Sequence, residues 1–159
     1  MGPDHPEVGV RRNNLGGILH AQRDFAGARA QVEIALRIAE GAFGAGHTEV
    51  AARRSNLGTV LLGLGDLDAA RDHLEQAILT GEASLGVDHP DIAVWRNNLG
   101  KVLQAQGDLQ GAREHFEWAI RITAETLGPD HPTVETIRKY LAEAMAVEPD
   151  DSEGRRRDE

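Results

Sequence analysis

The sequence predicts an all-α solenoid of three antiparallel helix pairs followed by a C-terminal capping helix, seven helices in all. Two observations carry the prediction. Asn14-Leu15-Gly16 returns as Asn56-Leu57-Gly58 and Asn98-Leu99-Gly100, and each copy lies 42 residues after the last. The same offset links Asp24, Asp66 and Asp108, then Ala28, Ala70 and Ala112, then Ala35, Ala77 and Ala119, and finally His5, His47, His89 and His131. A period of this length marks stacked supersecondary units, none of which can bury its apolar face alone. Within each unit, apolar residues recur at helical spacing in two runs, and the turn between them is so short that the helices must be antiparallel neighbours.

In chain order, Gly2-Pro3-Asp4-His5-Pro6 matches Gly128-Pro129-Asp130-His131-Pro132, so the chain is expected to start at a repeat boundary, as a piece of a longer array or as a short protein. Residues 7–22 form the first helix: Val8, Leu15, Ile18 and Leu19 keep its period, Pro6 suits a first turn, and Glu7 faces the positive helix end. Arg23-Asp24 is a turn, and residues 25–43 form the partner helix, with Ala28, Val32, Ala35, Leu36 and Ile38 as its buried stripe. The second unit gives helices over 48–64 and 67–85, and the third over 90–106 and 109–127, with Gly65-Asp66 and Gly107-Asp108 as turns. The repeats are thus residues 6–47, 48–89 and 90–131. A seventh helix over 133–147 has no following partner and reads as a cap, and the charged residues 148–159, with a proline and no periodicity, read as a disordered tail.

Gly16, Gly58 and Gly100 fall inside helices, where each costs about 1 kcal/mol relative to alanine. Close approach of the partner helix is the expected reason.

The Asn-Asn-Leu-Gly motif, the Gly-Asp-Leu turn and the paired alanines resemble the tetratricopeptide repeat. The 42-residue unit and the Leu-Gly-x-Asp-His-Pro connection resemble in particular the kinesin-light-chain type, also common in bacterial multidomain proteins that carry a nucleotide-binding switch module. That resemblance implies a right-handed superhelix whose concave face is lined by the first helix of each pair. It also implies that the second asparagine of each motif, Asn14, Asn56 and Asn98, bonds the backbone of a bound peptide; the cap has Tyr140 at that place. Asn13 and Asn97 precede two of these rungs and are expected to contact the peptide as well. Where the family often has an aromatic residue, this chain has Arg12, Arg54, Arg96 and Arg138.

The formal net charge is -9, which argues against a nucleic-acid or anionic-membrane partner. Yet Arg11, Arg12, Arg53, Arg54, Arg96, Lys101, Arg138 and Lys139 sit in the middles of the first helices, so a basic inner face suited to an acidic peptide is one expectation, with Arg54, Arg96 and Lys101 as contacts. The alternative makes the arginine row structural, each guanidinium pairing with a carboxylate such as Glu40 or Glu82 on the preceding helix. Trp95 and Trp118 are expected to pack between repeats, with a partner anchor as the alternative.

The histidine row invites a metal reading that geometry opposes: stacked helices lie roughly 8–10 Å apart, whereas ligands converge within about 2 Å of one ion. Capping or loop packing is expected there, and surface positions for His20, His73 and His115. No phosphate-cradling loop, His-Glu-x-x-His or nucleophile elbow is present, so no enzyme and no cofactor are expected. The absence of cysteine, of a signal peptide and of a membrane span fits a cytoplasmic protein. The reading is a peptide-binding interaction module. The alternative is a homo-oligomer, since the first helix leaves Val10 and Ile18 without a preceding repeat.

Overall fold

The computed structural model describes residues 2–146, which form seven α-helices and no strand. These are α1 (Pro6–Ala21), α2 (Phe25–Phe43), α3 (Thr48–Leu64), α4 (Leu67–Leu85), α5 (Pro90–Gln106), α6 (Leu109–Leu127) and α7 (Pro132–Ala146). The boundaries read from the sequence hold to within a residue among the described residues. Val147 and the expected tail over 148–159 lie outside them.

Helix starts follow the repeat. Asp24, Asp66 and Asp108 cap α2, α4 and α6 by accepting from the backbone N–H of Gly27, Ala69 and Gly111. The odd-numbered helices use histidine instead. Nδ1 of His5, His47, His89 and His131 accepts from the N–H of Glu7, Glu49, Asp91 and Thr133 at 3.1–3.2 Å. Each satisfies one of the orphan donors of a helix N-terminus, which accounts for the histidine row without a metal. The turns after α3 and α5 need a left-handed residue, supplied by Gly65 (φ 79°) and Gly107 (φ 83°). In the first repeat Arg23 takes that place at φ 63°, a conformation costly for a side chain with a Cβ.

Packing alternates. α1 pairs with α2, α3 with α4 and α5 with α6, while α2 packs on α3, α4 on α5 and α6 on α7. The odd-numbered helices also approach one another in sequence, whereas α2, α4 and α6 do not. The stack therefore curves with the odd-numbered helices on its inner side.

The core runs unbroken along the stack. Val32, Leu74 and Phe116, one repeat apart, are buried against Gly16, Gly58 and Gly100. A Cβ at those glycines would lie 2.5 Å from Val32 Cγ2, 2.6 Å from Leu74 Cγ and 2.6 Å from a Phe116 ring carbon. Full burial of such a side chain stabilises by about 1.5–3 kcal/mol, which exceeds the helix-propensity cost of the glycine. Trp95 packs between repeats, 5% exposed, against Gly81 of α4.

Candidate functional site

The inner side carries the asparagine row. Asn14 and Asn56 are exposed and Asn98 is half-buried. With Asn13 they line a groove of about 610 Å³, whose apolar surface comes from Val32, Val60 and the 57%-exposed Ile18. Two of the rungs are tied to the odd-numbered helix one repeat before them. Asn56 Nδ2 donates to Asn13 Oδ1 at 2.8 Å, and Asn98 Nδ2 donates to Thr59 Oγ1 at 3.2 Å. The side-chain oxygens of Asn56 and Asn98 have no donor among the described residues, and Asn14 keeps its whole amide available. An amide can both accept and donate, as an extended backbone requires. The groove thus combines an apolar floor with fixed acceptors.

Thr59 is the member that the sequence does not reveal. Its register mates are Gly17 and Lys101, so a search by repetition passes over it. Asn97, in register with Asn13, is half-buried and outside the groove lining; its Oδ1 is buried with no partner among the described residues.

Two members of the arginine row, Arg54 and Arg96, lie on the seams between repeats. Arg54 donates to Glu40 at 2.9 Å with its side chain 15% exposed, and Arg96 pairs with Glu82 in the same way. Arg96 also stacks on Trp118, 4.4 Å from the ring, whose plane Arg121 approaches at 4.5 Å. Arg53 pairs with Glu49 at 2.8 Å. Arg12 donates to Gln31 Oε1 at 2.8 Å and Arg138 to the Pro129 carbonyl at 3.3 Å. Lys101, one turn beyond Asn98, rests its Nζ 4.4 Å from the Tyr140 ring.

His73 and His115 are not the surface residues expected of them. Both, like His20, are half-buried, and His115 Nδ1 lies 3.4 Å from Arg96 Nη1. Burial chiefly, then the neighbouring Arg54 or Arg96, pushes each imidazole below its ordinary pKa. Among the described residues no three His, Cys, Asp or Glu side chains gather into a metal site, and no helix is long and apolar enough to cross a membrane.

A family model described as tetratricopeptide repeat matches residues 11–79, 55–125 and 91–151. The fold is similar to the crystal structure of a putative kinesin light chain with nearly identical TPR-like repeats from Podosopora anserina. The two are 24% identical with a TM-score of 0.80 over 88% of this chain and 66% of that one. A point variant of the same protein gives 24% and 0.79 over the same shares. BtubC (BKLC) from P. vanneervenii gives 20% and 0.71 over 89% of this chain and 61% of that one. The chain therefore spans just under two thirds of the length of these relatives, and at such identities the likeness concerns the fold alone. No curated protein matches it.

Proposed function

The chain belongs to the tetratricopeptide repeat family, and from that membership we propose that it is a non-catalytic scaffold holding a peptide segment of a partner protein in the groove on α1, α3 and α5. Repeats of this family are in general protein–protein interaction modules. The observation that carries the reading is the groove itself, where Asn14, Asn56 and Asn98 present amide groups beside apolar surface. Asn13 holds the Asn56 rung in place. An acidic residue in the segment would meet Lys101; Arg54 and Arg96 could reach it only by leaving Glu40 and Glu82. Asn97 would take part only through its neighbour Asn98. The absence of cysteine supports action in the reducing cytoplasm.

Peptides selected from a random library on the immobilised chain test this reading. Replacing Asn56 and Asn98 with alanine should weaken the selected peptides by about tenfold or more, at roughly 1 kcal/mol per lost hydrogen bond, while the helical signal in circular dichroism stays. Unchanged affinity would remove the groove assignment. The second reading, a homo-oligomer through the solenoid end, is supported by the exposure of Val10 (45%) and Ile18 (57%). A dimer in light scattering that becomes a monomer on Val10→Lys with Ile18→Lys would favour it.

A further inference from the structure

The three seams of the stack follow one plan and are filled in three ways. At the second, the ring of Trp95, 5% exposed, lies on Gly81 of α4 more closely than any Cβ there would tolerate. At the third, the matching residue of α7 is Ile137, 3% exposed. At the first it is Arg53, which instead pairs one turn back along α3, its Nη2 donating to Glu49 Oε2 at 2.8 Å. A pocket of about 280 Å³ remains there between α1, α2 and α3, walled by Gly9, Val10, Ala35, Ile38, Ala39 and Phe43. One repeat and the first helix of the next bound it, so it lies inside the stack and not at its end.

Size, charge and hydrogen bonding together set what the pocket can hold. A cavity of about 150 Å³ with apolar walls already takes up benzene, and a space of this size suits two fused rings. The polar edge is the Arg53–Glu49 pair, which carries no net charge and so favours a neutral guest. Glu49 Oε1 accepts no hydrogen bond among the described residues, and Arg53 Nε is buried without a partner among them. Val10 and Phe43 are 45% and 44% exposed, which leaves a way in from solvent. We propose that this pocket binds a small, neutral, planar heteroaromatic molecule of indole size, its ring against Ile38 and Ala39 and its N–H on Glu49. The next seam supplies the precedent, since Trp95 holds an indole at the matching place. Glu49 and Arg53 are the only polar side chains in the lining. Two are too few to hold an extended main chain as well as a ring, so the guest is a free molecule rather than a side chain of a partner. The site shares no residue with the asparagine groove and stands apart from the peptide reading.

The test follows 5-fluoroindole by fluorine NMR in the presence of the full chain. Saturable binding with a Kd of about 1 mM or tighter is expected. In nitrogen-15 spectra the backbone amides of Gly9, Ala39 and Arg53 should shift, and those of Asn14, Asn56 and Asn98 should not. N-methylation of the probe removes the donor to Glu49 and should weaken binding about fivefold. Ala39→Gly with Arg53→Trp gives the first seam the residues of the second, and should abolish binding because the introduced ring takes the place of the guest. Circular dichroism checks that this variant keeps its helices; if it does not, the shift map and the N-methylated probe decide. A Kd weaker than about 10 mM, shifts gathered on the asparagine groove, or a folded double variant that binds as well as the parent overturns the proposal. So does tighter binding of N-acetyltryptophanamide than of the probe, since the ring would then belong to a partner chain.

Discussion

At the scale of the residue, glycine has opposite meanings at two neighbouring sites. Gly58 faces Leu74 at a distance that no Cβ tolerates, and the Ala70 carbonyl behind it cannot move aside like a side chain. Gly17, the residue after Gly16 of that row, has nothing within 4 Å of where a Cβ would stand. Gly58→Ala should therefore destabilise by about 1–3 kcal/mol through overpacking, while Gly17→Ala should stabilise by up to about 1 kcal/mol through helix propensity. Urea midpoints of the two variants check both signs. The glycine row was legible because it repeats. The burial of His73 and His115 was not, because it depends on which seam a polar helix face meets. Their lowered pKa has a consequence for stability. The unfolded chain takes up protons near the ordinary imidazole value of about 6.5 while the folded imidazoles remain neutral, so stability falls as pH drops through 6.5 toward the lower values of the folded state. Replacing both with glutamine, the residue at the matching position 31 beside Arg12, should flatten that slope in melting curves taken between pH 7.5 and about 5.

Elements were the most legible part of the sequence, since each has a start and a stop that repeat. Histidine and aspartate mark the starts, and glycine ends α3 and α5. Arg23 is the exception, and Arg23→Gly should raise stability by about 0.5–1 kcal/mol by removing the left-handed strain, seen as a higher melting temperature. The pairing of Arg54 with Glu40 could be read in advance because charged residues at a seam need partners. The ties of Asn56 to Asn13 and of Asn98 to Thr59 could not, since they run between helices a whole repeat apart. α7 closes the stack with one face only. Ile137 is 3% exposed and Met145 57%; Ile137→Ala should cost about 2–4 kcal/mol, whereas Met145→Ala should stay within about 0.5 kcal/mol. Equal effects in denaturant unfolding would mean that α7 does not dock by that face.

At the scale of the whole molecule, the curve follows from which helices touch. Odd-numbered helices meet along the inner side and even-numbered ones stand apart, so the asparagine row faces a concavity rather than a flat wall. Arg54 and Arg96 take the pairings with Glu40 and Glu82 that the sequence offered as the alternative to a basic inner face. The basic residues of the odd-numbered helices are mostly engaged by carboxylates or rings, and the residues that line the groove carry no acidic or Lys/Arg side chain. The most direct test of that groove is a nitrogen-15 NMR titration of the chain with one library-selected peptide, following the side-chain amides of Asn14, Asn56 and Asn98. The account predicts that these signals and the neighbouring backbone amides of α1, α3 and α5 shift together at one affinity. Shifts gathered on α2, α4 and α6, with the three side-chain amides unmoved, would contradict it.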